Sequence, residues 1–590
     1  MNASEPPASR AARNHGGDVQ HYPTWPNLPA MMLALARNWP ERPMLRSFRE
    51  GAWTRMTWGA FGRAAASVAR GLAAAGVGAG DRVLIVAENR PEYPVAETAL
   101  MAIGAVPVPA YVSNTIDDHA YLLRDSGARV AIAGSPALAE RLRESGTRAG
   151  CLDLLVVMDG DVEPSAGRPR LLPWRVLAAD TAAPDDVART ATAIPSSALA
   201  CLIYTSGTGG APRGVMLPHR SILSNCRGAF DLLRPLRLGD NEIYLSFLPT
   251  AHSYEHTVGL FLLPSMGVEI VYARGIEHLA SDLAVVRPTI MTVVPRILEA
   301  VRGRVLTQVA RQPAWRKALF DRALRLGTKR LDHERLSLTE LLADALLDRL
   351  VRTKLRARFG GRIKGIMSGG ARLEPEVGRF FLALGLPIMQ GYGQTEAGPV
   401  ISANPPDAIR IETVGRPLNG VDLRLGEDNE ILVRGDLTMD GYWRRPEDTA
   451  ATIRDGWLHT GDIGALDADG YLRVTDRKKD MIVLSGGENV SPAKIEGMLV
   501  AEPEIAQAVV AGDGRAGLAA LVVPAAGQDQ VGVALAVSRT NLRLSVTERI
   551  RHHAVVPEFT VENGLLTPSH KVRRLMVLRA NAAALSHPPG

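Results

Sequence analysis

The feature that most constrains the fold is a repeated switch of apolar period between about residue 58 and residue 134. FGRAAASVARGLAAAG (61–76) has helical spacing, and DRVLIVAEN (81–89) is an unbroken strand-like run. PEYPVAETALMAIGA (91–105) is helical again, and VPVPAY (106–111) returns to strand. IDDHAYLLRDSGA followed by RVAIAG repeats the cycle. Such alternation predicts a parallel sheet covered by helices, because parallel strands need long crossovers and are buried on both faces.

A second stretch of the same kind starts near Ala198 with LACLIYTSG, EIYLSFLP, VEIVYA and TIMTVVP. From about 296 to 360 the pattern is almost wholly helical, and IKGIMSGG then reads as strand and turn. Beyond Val421 the segments shorten. DLRLGEDNEILVRG predicts a hairpin around 427–429, and ALDADGYLRVTDR another with its turn at 469–470. After a polar stretch at 476–479 the pattern becomes that of a small α+β unit, with Ser491 and Pro492 opening a helix.

Composition narrows the function classes. A chain of 590 residues makes room for roughly three to four domain-sized units. The formal net charge is +6, but the basic residues are spread out, and the densest run (352–362) reads as a solvated helix face rather than a nucleic-acid patch. The cysteines, Cys151, Cys201 and Cys226, form no CxxC pair, so neither a zinc site nor a disulfide framework is predicted. The first 20 residues are polar, lack an apolar signal core and are expected to be a disordered tail. No window reaches the ~18–20 uninterrupted apolar residues of a membrane span. A cytoplasmic location is expected, with peripheral contact at the inner face of a membrane left open.

The sharpest local signal is YTSGTGGAPRGVMLPH (204–219), which leaves an apolar strand and packs hydroxyls and glycines together. Backbone N–H groups near glycines approach phosphate oxygens closely, Thr205, Ser206 and Thr208 add hydroxyl donors, and Arg213 adds charge. It is not the GxxxxGK[ST] loop, because no Lys-Ser/Thr pair ends it. By itself it indicates phosphate binding and no more.

This loop resembles the signature of the adenylate-forming superfamily of acyl-CoA synthetases, firefly-type luciferases and peptide-synthetase adenylation domains. Gly209 stands where threonine is commonest, Arg213 where lysine is usual and, later, His570 where glycine is common. The resemblance continues in order from about 53 to 574, through FLPTAHSYEHTVG (247–259), SGGARL (368–373), QGYGQTEAG (390–398), the long segment 456–496 and LTPSHKVRR (566–574). LPTAHSYEH, SGGENVSP and the helical insertion favour the long-chain fatty acid CoA ligases within it.

The resemblance implies an α/β chain. A large N-terminal domain (21–476) of helix-covered sheets would carry a β-rich subdomain and the helical insertion, and a small mobile α+β C-terminal domain would occupy 477–590. It implies the substrates ATP, a fatty acid and CoA, with Mg²⁺ as cofactor. ATP would be held by Thr205, Ser206, Gly207, Thr208, Gly209, Gly210 and Arg213, by Gly369, Gly370 and Ala371 at adenine, and by Gln390, Gly391, Tyr392, Gly393 and Thr395. Asp462 and Arg477 would take the ribose. Lys571, Thr208 and Glu396 are the implied catalytic residues, Glu396 and Thr208 serving the metal. His252, Val258 and Gly259 would shape the acyl and carboxylate site, beside Leu260 and Val293. Lys479 matches the hinge, and Ser485, Gly486 and Gly487 the CoA channel.

His252, Glu255 and His256 spell H-x-x-E-H, a zinc-peptidase pattern, but Pro249 lies just before and every neighbouring motif concerns nucleotide, so the metal reading is rejected. Three alternatives stay open at this level: an acyl-AMP ligase that loads a carrier protein, a ligase for another carboxylic acid, and a non-catalytic nucleotide or lipid sensor.

Overall fold

A computed structural model describes residues 21–590 apart from 161, 166, 180–183, 206–210, 487, 568–571 and 587–590. The expected tail therefore lies outside the described residues. The chain forms two compact units. One comprises the described residues up to 205 with 214–422 and 434–456; the other comprises those of 206–213, 423–433 and 457–590.

The first unit is built on the predicted alternation. Strands Arg82–Val86, Val106–Ala110, Val130–Ala133, Leu154–Val157 and Arg170–Pro173 form a sheet in which every pairing is parallel. Val106–Ala110 and Leu154–Val157 are buried along their whole length, as strands covered on both faces must be. Helices Trp58–Ala74, Glu92–Ala102, Ile116–Ser126 and Pro136–Ala149 alternate with them. Their ends follow local chemistry: Thr115 and Asp118 make a reciprocal cap, and Gly127 stops the same helix at φ +70°.

A larger sheet positions the candidate site. From one edge its strands run Ala52–Thr57, Pro43–Arg49, Glu269–Tyr272, Ile243–Ser246, Ile290–Val293, Gly365–Ser368, Ile388–Gly393, Val400–Ala403 and Arg416–Pro417. Neighbours are parallel from Pro43–Arg49 to Ile388–Gly393 and antiparallel outside that range. The chain leaves Ile243–Ser246 for one side and returns on the other, so strand order reverses there. In open α/β sheets a crevice forms at the carboxyl ends of strands flanking such a reversal. Residues 247–259, 368–371 and 390–398 all lie at or beyond the carboxyl ends of strands of this sheet.

The helical insertion consists of Pro295–Ala310, Ala314–Leu331, Leu338–Leu347 and Thr353–Arg358. Ser337 and Glu340 cap the third helix reciprocally. Buried Arg352 ties the insertion to the core, donating to Asp344 at 2.6 Å and to the carbonyls of Ala323 and Ala383.

The second unit contains an antiparallel sheet of Asp422–Leu425, Glu430–Arg434, Trp457–Leu466 and Leu472–Arg477. Both expected turns are present, the first with Asp428 and Asn429 at φ +58° and the second with Gly470 at φ +79°. Strands Ile505–Ala511, Leu518–Pro524 and Ile550–Val555 pack with helices Pro492–Val500 and Gln530–Leu542 around a buried aliphatic core. Ser491 caps the first of these helices by accepting from the Lys494 N–H, with Pro492 at its first position.

Candidate active site

Three sheet ends bring the predicted residues of the first unit together. Parallel register sets Ser368 opposite Val293 on one side and Gln390 on the other. The Ser368 Oγ and Gln390 Oε1 are both buried with no hydrogen-bond partner. Buried polar groups are nearly always satisfied, so these two atoms on adjacent strands are free to take a polar partner. Gly369 follows at once. A Cβ there would lie 3.1 Å from the Tyr254 ring, and Gly370 adopts φ +81°, which glycine alone takes without strain. Ala371 completes this turn.

Beyond Gln390 the strand carries Gly391, Tyr392 and Gly393 against Val400–Ala403, and a Cβ at Gly393 would fall 1.9 Å from the Pro399 carbonyl oxygen. Thr395 and Glu396 then occupy a short 3-10 turn ended by Gly398 at φ +72°. The Asn225 amide fixes this turn by donating to the Ala397 and Val400 carbonyls at 3.3 and 2.8 Å. Glu396 is buried, and one of its carboxylate oxygens accepts from the Tyr442 hydroxyl at 2.8 Å.

The segment after Ile243–Ser246 approaches the same turn. Ser253 Oγ lies 2.9 Å from Thr395 Oγ1, and Thr257 donates to the Gly398 carbonyl at 3.1 Å. His252 caps the short helix Ser253–Thr257, its Nδ1 accepting from the Tyr254 N–H at 3.2 Å, so that nitrogen is the unprotonated one in this contact. Val258 and Gly259 open a π-helical turn, Val258–Leu262, whose residues are all buried. Leu260 is buried in that turn, and Val293 belongs to the hydrophobic cluster beside the insertion.

Glu255 is a residue the motifs did not single out for this environment. Its carboxylate is buried and accepts from Ser246 at 2.6 Å, from Tyr244 at 2.5 Å and from Thr292 at 3.2 Å. Burial pushes its carboxyl up to about 7 against the opposing pull of those hydroxyls. A Cβ on Gly259 would meet Glu255 Oε1 at 2.4 Å, so the carboxylate also requires glycine there. His256 Nε2 lies 3.3 Å from Glu97 Oε1. Among the described residues no group of three His, Cys, Asp or Glu side chains is arranged to hold a metal.

The phosphate-loop residues Ser206, Gly207, Thr208, Gly209 and Gly210 lie outside the described residues. Its flanks are described: Thr205 ends the strand Leu199–Thr205, and Arg213 begins Arg213–Pro218. Tyr204 anchors the first flank by donating to Asp125 at 2.7 Å.

In the second unit, antiparallel register sets Asp462 beside Arg477, whose Nε donates to the buried carboxylate at 3.1 Å. Lys479 is exposed two residues further on. Ser485 and Gly486 follow in an exposed turn, with the Ser485 N–H donating to the Arg515 carbonyl at 2.9 Å. Gly487, His570 and Lys571 lie outside the described residues. Among the described residues, Leu566 and Val572 form an isolated antiparallel bridge, and Arg574 pairs with Glu496 at 2.7 Å.

Tyr442, Ser253 and Asn225 escaped the sequence reading because their partners are set by strand order, not by spacing. Glycine turns, hydroxyls and one carboxylate gathered at the carboxyl ends of an α/β sheet are an arrangement suited to receiving a nucleotide. The chain belongs to the AMP-binding enzyme family, whose model matches residues 34–443, and the family's C-terminal domain matches 479–583. It is 34% identical to the long-chain-fatty-acid–CoA ligase FadD15 of Mycobacterium bovis, over 93% of this chain and 95% of that one. It is 27% identical to the long-chain-fatty-acid–[acyl-carrier-protein] ligase AEE15 of Arabidopsis thaliana, over 94% and 85%. Among solved structures, the o-succinylbenzoate CoA synthetase of Bacillus subtilis with its acyl-adenylate intermediate has the same fold, with a TM-score of 0.70 at 21% identity over 93% of this chain and 98% of that one.

Proposed function

We propose that this chain activates a long-chain fatty acid with ATP and passes the acyl group to CoA. The observation that carries the reading is the 2.9 Å approach of Ser253 to Thr395. It joins the segment assigned to the acid with the segment assigned to the α-phosphate, so both reactants meet at one sheet end. Family membership and 34% identity to a long-chain-fatty-acid–CoA ligase support the substrate class.

In the first half-reaction a carboxylate oxygen attacks the α-phosphorus, the bond to the β-phosphate bridging oxygen breaks, and pyrophosphate leaves. Both reactants are anionic, so the protein must screen repulsion and align them. Lys571 supplies the screening cation, Thr395 donates to the α-phosphate, and the loop 205–210 with Arg213 holds the leaving phosphates. The backbone of Gly369, Gly370 and Ala371, with Gln390 and Tyr392, receives adenine, while Asp462 accepts the ribose hydroxyls beside Arg477.

Glu396 fits a Mg²⁺ role: one oxygen is engaged by Tyr442, and a single hard carboxylate is what this ion takes when phosphate oxygens and water complete its shell. Glu396 and Thr208 would hold the ion, whose charge would offset that of the phosphates. In the second half-reaction the CoA thiol gives its proton to solvent, the thiolate sulfur bonds to the acyl carbon, and the bond from that carbon to the phosphate oxygen breaks, so that AMP departs with the electron pair. The small domain, 477–590, turns about Lys479 between the two steps and presents 485–487 to the pantetheine arm. The enzyme works in the cytoplasm.

The test is pyrophosphate release from palmitate, ATP and Mg²⁺, followed by thioester formation when CoA is added. Absence of pyrophosphate across a panel of acid lengths sinks the reading. A second reading rests on the resemblance to an acyl-carrier-protein ligase: pyrophosphate release with no CoA thioester, but with acylated carrier protein, selects it.

A further inference from the structure

The helical insertion of the first unit carries a surface that the ligase reaction does not use. On helix Leu338–Leu347 and the π-turn after it, Leu338, Leu341, Leu342, Leu346 and Leu350 are exposed by 81, 49, 76, 58 and 43%. Positions 338, 342, 346 and 350 recur every four residues, and 341 lies beside them, so the leucines form one outward stripe. Isolated exposed leucines need no explanation, but five in register on one helix face do.

The charges on the same segment are sorted. Its acids are Glu340, Asp344 and Asp348, and each is turned back into the insertion on a cation. Glu340 pairs with Lys329 at 2.9 Å, Asp344 with Arg352 at 2.6 Å and Asp348 with Arg356 at 2.7 Å. Exposed Arg335, Arg349 and Lys354 flank the leucines and have no carboxylate partner among the described residues. The exposed charges beside the leucines are thus mainly cationic: Asp348, 39% exposed, is offset by Arg356, and Glu334 stands next to Arg335. This is the pairing by which amphipathic helices lie in the interface of anionic lipid: leucines enter the acyl boundary and cations meet the headgroups.

We propose that the face Leu338–Leu342–Leu346–Leu350, with Arg349 and Lys354, docks this chain on an anionic phospholipid surface. The occupant is a bilayer, not a spanning contact, since no described helix is long and apolar enough to cross one. The inference rests on this surface alone and stands whichever acid is activated.

The test is cosedimentation of the full chain with phosphatidylglycerol–phosphatidylcholine vesicles and with pure phosphatidylcholine vesicles. Binding to the anionic vesicles is expected, with loss as salt rises. The double substitution Leu342→Glu with Leu346→Glu lowers the partition coefficient roughly tenfold or more, and Arg349→Glu lowers it by a smaller factor. Leu542→Glu, at an 84% exposed leucine elsewhere, leaves it unchanged. Circular dichroism verifies that each variant is folded. Equal binding of the double variant and the parent overturns the proposal, as does failure of the parent to bind anionic vesicles. So does a dimer seen by light scattering that the double variant dissolves, because the leucines are then covered by a second copy.

Discussion

At the scale of single residues, two buried carboxylates behave differently because their partners differ. Glu396 accepts from one tyrosine hydroxyl, and that tyrosine lies 46 residues away on a strand paired with the loop flank. Tyr442→Phe removes a hydrogen bond to a charged group, worth about 1.5–3 kcal/mol. We expect kcat for adenylation to fall about tenfold or more with KM for the acid little changed, measured by pyrophosphate release. An unchanged kcat would show that Glu396 needs no such orientation. Glu255 makes a prediction about stability instead. Its folded pKa, about 7, is raised above the usual carboxylate value, so between roughly pH 4.5 and 7 the folded chain holds a proton that the unfolded chain has lost. Stability from this group is fully present below that window and drains away as pH rises through it, by about 3 kcal/mol at most. Glu255→Gln cannot titrate, so its thermal midpoint should gain on the parent's between pH 5 and 7.5. Parallel pH profiles of the two proteins would refute the assignment. Neither partnership could be read from motifs, since Glu255 meets Tyr244, Ser246 and Thr292 through strand neighbours up to 37 residues away.

At the scale of elements, legibility followed period and punctuation. The runs around 81–89 and 106–111 became parallel strands because an unbroken apolar run of that length has no polar face to leave in water. The turns at 427–429 and 469–470 were legible from Asp, Asn and Gly, which tolerate positive φ. What sequence could not supply was the order of strands, and with it the reversal at Ile243–Ser246 beside which segments 247–259, 368–371 and 390–398 gather. The insertion was legible as helices, but its basic run conceals a buried member: Arg352 is 4% exposed and sits on Asp344 and two carbonyls. Removing one partner of such a pair leaves an uncompensated buried charge, at a cost of about 3–5 kcal/mol. Asp344→Ala should therefore lower the thermal midpoint by several degrees, whereas Arg349→Ala, at an exposed position of the same segment, should stay within about 0.5 kcal/mol of the parent. Equal effects of the two substitutions would mean that Arg352 finds water or another acceptor when its carboxylate is gone.

At the scale of the whole molecule, the proposed reaction asks one cation to serve one step and then leave. A unit charge about 4 Å from the meeting point of two anions contributes about 4 kcal/mol at an effective dielectric near 20. Realised only in the transition state of adenylation, that is about three powers of ten in rate. The second step has no such need, because the nucleophile is a thiol and the leaving group is already AMP. A chain divided into two units, with the lysine-bearing segment in the smaller, allows the same cation to be decisive for one half-reaction and dispensable for the other. Lys571→Ala should thus slow pyrophosphate release from fatty acid and ATP by about a thousandfold while thioester formation from supplied acyl-AMP and CoA falls by less than about tenfold. The two rates are measured separately, in single turnover, on the same preparation. Equal loss in both would mean that Lys571 holds the smaller unit together or serves the thiol step as well, and the assignment of the screening charge would pass to Arg213 in the phosphate loop.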